Sequence, residues 1–277
     1  MISRAVHPAL QGGPLLIAHR GGAGLMPENT LAAFLQAEQL WRADMIELDV
    51  RASADGHCVV IHDATVDRTT DGSGNVADMT LAQLQALDAG YRFTRDGGKT
   101  FPYRGKGIHI PTIEEVLAAL PAMRITAESK VATAQQPLFR AVADYHATQR
   151  VIAAGERNAY RTLFHAYPDP KSASLEDAMP FFIMHRFFLA RFGRVRADVV
   201  QTCEFYRGRR ILSARLVRDF HARGILVHVW TVNEEPDMER LLDWGVDGLV
   251  TDRPDRLAAL LHRRTGRPLP PGLLSRA

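Results

Sequence analysis

The sequence predicts an α/β protein in which eight parallel strands alternate with helices and close into a barrel. Short apolar runs rich in β-branched residues alternate with amphipathic helical patterns through most of the 277 residues. Eight such runs within about 250 residues match the size of this architecture. Several runs end in charged residues, as expected where strands meet a catalytic face. An open, doubly wound sheet is the alternative that the alternation also allows.

The apolar runs predict eight strands, at Leu15–His19, Met45–Val50, Cys58–His62, Arg124–Glu128, Val151–Ala154, Val199–Cys203, Leu226–Thr231 and Gly248–Thr251. Apolar residues at i, i+3, i+4 and i+7 predict helices at Leu31–Trp41, Ile113–Leu120, Pro137–His146, Ala214–Arg223 and Met238–Trp244. Thr112, followed by two glutamates, is typical of a helix start. Gly224 and Gly245 are typical of helix ends.

The alternation predicts a single catalytic barrel over residues 14–262. It is interrupted after the third strand by residues 64–109, which contain glycine-rich turn signals and are too many for a simple loop. We expect this stretch to be a small insertion that covers the catalytic face. Residues 263–277 are rich in proline, and we expect them to form a loose C-terminal tail.

Composition limits the functional class. A hydrophobic fraction of 46% and a charged fraction of 23% are typical of a soluble globular protein. A net charge of +3 without a recognisable nucleic-acid-binding module argues against binding nucleic acid. The sequence contains no apolar run long enough for a membrane span and no secretory signal at its start. We therefore expect a cytoplasmic protein in which Cys58 and Cys203 are free thiols.

The second predicted strand carries two carboxylates, Glu47 and Asp49, separated by one residue. Because side chains alternate along a strand, both point to the same side, with Cα atoms roughly 7 Å apart. Two anions at this spacing repel each other unless a cation joins them, and a hard divalent cation prefers such oxygen ligands. The alternative is a solvated pair, but the apolar residues on either side argue against full exposure.

Two histidines, His19 and His62, end the strands that we place on either side of this carboxylate pair. An imidazole titrates near neutral pH, so one ring can deprotonate an attacking group while the other protonates a leaving oxygen. A histidine alone is more often a structural residue. Two histidines beside paired carboxylates indicate metal-assisted cleavage of a phosphate ester.

Three further residues fit an anionic phosphate beside a metal. Arg20 follows His19, and its guanidinium can hold two phosphate oxygens; a surface arginine in a glycine-rich turn is the alternative. Glu128 and Lys130 share one face of the fourth strand. They indicate either a third metal ligand with a phosphate contact or an ordinary salt pair.

Two aromatic features have alternative interpretations. Trp230 ends the seventh strand and is either a wall of the substrate pocket or part of the core. The segment Phe181–Phe192 combines phenylalanines with basic residues. This indicates either a packed barrel helix or an apolar face that contacts a membrane surface weakly. Nine arginines against two acids between Arg186 and Arg218 add a weak attraction for anionic surfaces.

The motif series resembles the glycerophosphodiester phosphodiesterase family: His19-Arg20-Gly21, Pro27-Glu28-Asn29-Thr30, Glu47-Leu48-Asp49 and His62-Asp63, in this order and spacing. Trp230-Thr231-Val232-Asn233 and residues 248–254 are similar to its C-terminal signatures, so the resemblance covers residues 15–260. It implies a (β/α)8 TIM-type barrel with a small inserted domain. It also implies a small-molecule substrate, a glycerophosphodiester that is hydrolysed to sn-glycerol 3-phosphate and an alcohol.

The resemblance also implies site residues. Glu47, Asp49 and Glu128 would bind a divalent cation, Mg2+ or Ca2+, His19 and His62 would form the acid–base pair, Arg20 and Lys130 would contact the phosphate, and Glu28 and Asn29 would support the site. We assign the acid to His62 and the base to His19, with the reverse order open. The nucleophile is either the neighbouring glycerol hydroxyl, which would give a cyclic phosphate, or water.

Two positions depart from the family pattern. Ser129 stands between Glu128 and Lys130 where members carry an apolar residue, and the fifth strand continues as Ala153–Arg157 without the usual Ser-Phe pair. The second departure leaves the pocket beyond the phosphate undefined. Two rival functions follow: a lysophospholipase D-like or sphingomyelinase D-like activity on lipids, and non-catalytic binding of a phosphorylated ligand. The oligomeric state is not predicted.

Overall fold

A curved, mainly parallel sheet forms the centre of the structure, a computed structural model that describes residues 6–158, 161–168 and 170–274. The strands are β1 (Leu15–His19), β2 (Met45–Ala52), β3 (Cys58–Val60), β4 (Arg124–Ser129), β5 (Val151–Ala154), β6 (Val199–Thr202), β7 (Phe205–Tyr206), β8 (Arg209–Arg210), β9 (Leu226–Val229) and β10 (Gly248–Thr251). The helices are α1 (Leu31–Gln39), α2 (Leu81–Gln85), α3 (Ile113–Ala119), α4 (Gln135–Asp144), α5 (Leu175–Arg186), α6 (Ala214–His221), α7 (Glu235–Asp243), α8 (Pro254–Thr265) and α9 (Pro271–Leu274).

The sheet closes into a barrel through a very short strand. The strands follow the order β5-β4-β2-β1-β10-β9-β6, and each neighbouring pair on this path is parallel. Between β5 and β6, parallel bridges join Ala153 to Lys171 and Ser172 to Val199. Lys171 and Ser172 therefore occupy the position of the eighth strand. The α/β class and the (β/α)8 TIM-type barrel are confirmed, although two residues are too few to show a sequence pattern.

The prediction that Cys58–His62 forms the third parallel strand of the barrel is wrong. β3 pairs antiparallel with the end of β2, so it extends a hairpin outside the ring and is not a parallel neighbour. The physical reason is the connection: a parallel crossover needs about a dozen residues, whereas a hairpin needs only a few. Residues 53–57 are too few for the crossover. The strand that pairs with β2 on the other side is β4.

Residues 64–109 form a small unit beside the barrel. Their apolar side chains pack with Val59 and Ile61 into a separate cluster that includes Val76 and Leu84. Tyr103 and Arg95 contact the loop after β1 at residues 25–26. None of its residues is among the described residues that line the large cavity, but Arg68 contacts Glu28 and Asp63 beside it, so the expectation that the insertion covers the catalytic face stays a prediction.

The helices pack around the barrel and begin at defined caps. Thr30, Thr112, Ser174 and Ser213 each accept a hydrogen bond from the first turn of α1, α3, α5 and α6. The predicted helices are present with ends that differ by up to three residues, whereas α8 was not predicted. Among the residues described, no helix combines the length and apolar character that crossing a membrane requires.

The segment predicted to be a loose tail is partly packed. α8 extends to Thr265, and Arg267 then binds the Asp44 carboxylate at 2.6 Å. The Gly272 amide donates to the Leu40 carbonyl at 2.9 Å, and the backbone of α9 packs directly against the Trp41 ring. Residues 275–277 of the predicted tail lie outside the described residues.

Candidate active site

One cavity of about 380 Å3 at the carboxyl ends of the barrel strands collects most of the predicted site residues. It is lined by His19, Arg20, Glu47, Asp49, His62, Glu128, Lys130 and Trp230. Glu28 and Asn29 lie behind this lining and contact it. Trp230 is 43% exposed, so it belongs to the pocket and not to the core. The structure thus brings together residues that are more than 200 positions apart.

Three carboxylates meet on β2 and β4. The strand register places Asp49 directly opposite Glu128. Glu47 and Asp49 are buried, at 7% and 1% exposure, which rules out a solvated pair. One oxygen from each of the three carboxylates lies within 4.8 Å of the others. These residues can hold a cation in common.

Two basic side chains partly neutralise the cluster. Lys130 Nζ lies 3.0 Å from Asp49 and 2.9 Å from Glu128, and Arg20 Nε lies 3.1 Å from Asp49. Burial favours the protonated acid, but these two cations outweigh it and hold the pKa of Asp49 below its usual value. Glu47 accepts only the Arg20 backbone N–H at 3.1 Å and has His19 at 3.9 Å among the described residues, and burial and the Asp49 charge raise its pKa to about 7. Burial also raises the pKa of Glu128.

His19 is oriented by a carboxylate from the last barrel strand. Its Nδ1 lies 2.6 Å from Asp252 Oδ1, just beyond β10. Asp252 also accepts a hydrogen bond from the Asn233 side chain at 2.8 Å. His19 Nε2 lies 3.9 Å from Glu47, the residue opposite it on β2. Burial lowers the pKa of His19, but the hydrogen bond to Asp252 and the Glu47 charge outweigh it, so the pKa is raised.

His62 is held in the same way by the residue that follows it. Its Nδ1 lies 2.6 Å from Asp63 Oδ1. Arg68 donates to Asp63 at 2.5 Å and to both Glu28 oxygens at 2.7 Å, and Glu28 accepts from Arg20 at 2.8 Å. Burial raises the pKa of Asp63, but Arg68 and His62 lower it to about 2. Arg68 therefore links the surroundings of His62 and Arg20.

The turn after β1 packs too tightly for side chains. Gly21 and Gly22 have φ angles of 85° and 96°. A Cβ on Gly21 would lie 2.7 Å from Ala33, and one on Gly22 would lie 2.9 Å from Pro254. Their close contacts are with α1 and α8, and the second contact brings the His19 turn next to the segment that carries Asp252.

Asn29 also has an unusual backbone, with a φ of 56°. Its amide donates to Asp49 Oδ2 at 3.0 Å and accepts from the Asp49 backbone at 3.3 Å. Ser129, the departure on β4, is buried on the opposite side of that strand from Glu128 and Lys130. It therefore does not alter the set of charged groups in the cavity.

The cavity extends beyond the charged groups along an apolar wall. This wall is formed by side chains from β5, α5, the β7–β8 hairpin and the loop after it, namely Ala154, Leu175, Ala178, Met179, Phe182, Tyr206 and Ile211. The residues that replace the family's Ser-Phe pair are small at this point, since Ala154 and Gly155 both line the cavity. Both cysteines are free, with Cys58 buried and Cys203 on the cavity wall.

Sequence reasoning missed two residues of the site, Asp252 and Arg68. Asp252 had a usable signal, because it directly follows an apolar strand just as Asp63 follows His62. Arg68 had none, since it lies in an insertion without periodicity and its two carboxylate partners are fixed only by the fold.

Comparison with known proteins agrees with this geometry. Residues 19–256 match the family model described as the glycerophosphoryl diester phosphodiesterase family. A glycerophosphodiester phosphodiesterase from Caldanaerobacter subterraneus subsp. tengcongensis is 34% identical over 257 residues, which cover 90% of this chain and 98% of that protein.

Solved structures show the same fold. The glycerophosphoryl diester phosphodiesterase domain of an uncharacterised Mycobacterium tuberculosis protein superposes with a TM-score of 0.79 at 22% identity, covering 91% of this chain and all of that one (100%). An Oleispira antarctica phosphodiesterase, solved in complex with the product sn-glycerol-3-phosphate, gives a TM-score of 0.69 at 23% identity, covering 90% and 96%. The family match over most of the chain and the relative at 34% identity lead to one conclusion: this chain belongs to the glycerophosphoryl diester phosphodiesterase family of hydrolases.

Proposed function

We propose that this phosphodiesterase hydrolyses glycerophosphodiesters to sn-glycerol 3-phosphate and an alcohol, with a divalent cation and two histidines. The observation that carries the proposal is the cavity itself, in which two carboxylate-bound imidazoles face three clustered carboxylates and two cations. The Caldanaerobacter relative is named for this activity, and the Oleispira structure contains its product.

The three carboxylates fit a divalent cation. Glu47, Asp49 and Glu128 offer oxygens within 4.8 Å of one another, and Mg2+ and Ca2+ prefer such ligands. The raised pKa of both Glu47 and Glu128 reflects buried negative charge that the nearby side chains offset only in part. When bound, the cation would neutralise charge on the phosphate and lower the pKa of a hydroxyl or water beside it.

The two histidines are arranged to move protons. Asp252 and Asp63 accept from Nδ1 of their rings, which leaves Nε2 of each ring for the substrate. One ring accepts the proton of the attacking hydroxyl or water, and the other donates a proton to the departing alcohol oxygen. The Asp252 carboxylate also stabilises the protonated form of the His19 ring. Non-catalytic binding would require neither of these His–Asp pairs.

Two basic side chains hold the phosphate in this scheme. Arg20 and Lys130 line the cavity beside the carboxylates, and both are charged at neutral pH. Glu28 fixes the Arg20 guanidinium, so its free N–H groups keep one direction. Lys130 lies between Asp49 and Glu128, where it can contact a phosphate oxygen while limiting repulsion between the acids.

The test is release of sn-glycerol 3-phosphate from glycerophosphocholine, with Mg2+, Ca2+ and Mn2+ supplied in turn to chelator-treated protein. We expect no turnover after chelation and recovery with at least one cation. His62→Gln should lower kcat by about 10²–10⁴. His57→Gln is the matched control, because His57 is an exposed histidine near Asp55 outside the cavity. Full activity without metal, or in His62→Gln, would contradict the proposal.

A second candidate substrate class is supported by the apolar wall. A short glycerophosphodiester leaves much of the 380 Å3 cavity unfilled, whereas a lysophospholipid would place its acyl chain against Leu175, Met179 and Phe182. The experiment compares kcat/KM for glycerophosphocholine and lysophosphatidylcholine. Phe182→Asn should lower turnover of the lipid more than of the short diester. Equal losses for both substrates would remove the lipid candidate.

A further inference from the structure

Helix α5 is apolar on two opposite sides, although only one of them is covered. Phe181 is fully buried and stacks on Phe220 with ring centroids 4.5 Å apart. On the other side, Met179, Ile183 and Phe187 are 40%, 54% and 69% exposed. Residues four apart are neighbours on a helix surface, so these three form one stripe about 12 Å long.

This stripe leads into the catalytic cavity. Met179 lines the cavity and also forms the end of the stripe. Tyr206 and Trp230 share both properties, because they line the cavity and are 44% and 43% exposed. Phe188, just after α5, and Phe205 on the hairpin are exposed as well, at 79% and 49%. We call the exposed side chains of Ile183, Phe187, Phe188 and Phe205 the mouth surface.

Arginines surround the mouth surface and stack on its rings. Arg215 lies over the Phe188 ring at 4.0 Å, and Arg210 lies over the Phe205 ring at 5.0 Å. Between residues 186 and 218 the chain has nine arginines and two acids. One of the acids, Glu204, is buried and already paired with arginines. The acids at the start of α5 are likewise engaged with arginines.

A second copy of the chain is a poor occupant for this surface. A twofold contact would place the same patch on both sides, so arginine-rich surfaces would face each other. An anionic bilayer complements both features, because aromatic side chains enter the headgroup region while arginines contact lipid phosphates. Its charge also matches the net positive balance of this segment.

We propose that the mouth surface docks on an anionic lipid bilayer, with the catalytic cavity opening toward the membrane. This goes beyond the proposed function, because docking concerns where the enzyme works and not which ester it cleaves. The exposed aromatic side chains that follow α5 and the one on the β7–β8 hairpin would then sit in the headgroup layer.

The experiment is flotation of the full chain with vesicles of phosphatidylcholine alone or mixed with phosphatidylglycerol, at low and high salt. We expect binding to the mixed vesicles that weakens as salt rises. The variant Phe187→Ser with Phe188→Asn should reduce the partition coefficient by about tenfold or more. Asparagine is chosen because residue 188 has a φ of 61°. Arg186→Gln with Arg209→Gln should reduce it by about fivefold per arginine.

Matched controls lie on other faces. Tyr145→Ser with Leu274→Ser removes apolar groups of 41% and 59% exposure, and Arg140→Gln removes an exposed arginine on α4. These should bind vesicles as the unmodified protein does. None of the substituted residues lines the cavity, so turnover of soluble glycerophosphocholine should be unchanged in every variant.

Three results would overturn docking: no flotation with the mixed vesicles, flotation of the phenylalanine variant equal to that of the unmodified protein, or sedimentation showing a dimer that this variant dissociates. The flotation experiment measures vesicle binding and does not depend on substrate turnover. A failure of the proposed hydrolysis therefore shows as absent glycerol 3-phosphate release and leaves the flotation result interpretable, with thermal unfolding as the measure of correct folding.

Discussion

His228 gives the protein a pH-dependent stability that can be calculated from its surroundings. The side chain on β9 has no exposed surface, and neither ring nitrogen has a hydrogen-bond partner among the described residues. It packs against Gly248, where a Cβ would lie 2.8 Å from the ring. Burial excludes the protonated ring and lowers the pKa of His228 from 6.5 to about 4, with Asp247 opposing and Arg124 adding to the effect.

The sign follows from linkage. Above pH 6.5 the ring is neutral in both the folded and unfolded states and contributes no pH dependence. As the pH falls below 6.5, the unfolded state binds a proton that the folded state refuses until about pH 4, so stability decreases with falling pH. At about 1.4 kcal/mol per pH unit, this cost is about 2 kcal/mol at pH 5 and about 3 kcal/mol at full effect.

The assay is urea unfolding at about pH 7.5 and pH 5, with coincident fluorescence and circular dichroism transitions as the check on two-state behaviour. His228→Met keeps a similar volume without a titrating group. Between pH 7.5 and pH 5, the free energy of unfolding of the variant should fall by about 2 kcal/mol less than that of the unmodified protein. His146→Asn, at an exposed histidine, is the control. An unchanged difference between the unmodified protein and His228→Met would refute the reasoning.

Three further predictions concern the active site. Asp252→Asn should lower kcat by about 10²–10⁴ with a smaller effect on KM, since His19 loses the partner that fixes its tautomer. A change in KM as large as the change in kcat would contradict this reasoning. Arg68→Gln should shift the pH profile of kcat and lower kcat, because Asp63 and Glu28 lose a shared partner, whereas Arg92→Gln in the same insertion should do neither. Divalent-cation affinity, measured by calorimetry, should fall as the pH drops through about 7 because Glu47 must lose its proton, and constant affinity from pH 8 to 6 would exclude this.

The sequence predicted the parts of the barrel that have a local signal. The apolar run that ends in His19 marks the end of β1, the run around Glu47 and Asp49 marks β2, and β1, β5 and β10 have the predicted bounds. The third strand was misplaced because the apolar pattern of β3 does not report its direction. The short connection before it carried that information, since a five-residue link permits only an antiparallel return.

Other features depend on closure of the ring and have no local signal. The pairing of β1 with β10 brings Asp252 to His19 across most of the chain. The strand at Lys171 and Ser172 is visible only through its hydrogen-bonding neighbours. Apolar periodicity reports burial, but it does not say which partner a charged group meets, and this is why Arg68 escaped notice.

The two-residue strand at Lys171 and Ser172 divides the barrel into regions that differ in how freely their side chains can be substituted. The acidic cluster and His19 sit on β1, β2 and β4, which are joined by ladders of three and six residue pairs. Part of the apolar wall of the cavity rests on β5, on residues 171–172 and on the helix after them, where the ladder is shortest. Substitutions in these segments can change which leaving group the proposed reaction accepts while the reacting groups keep their places. A set of variants designed for new substrates therefore belongs there.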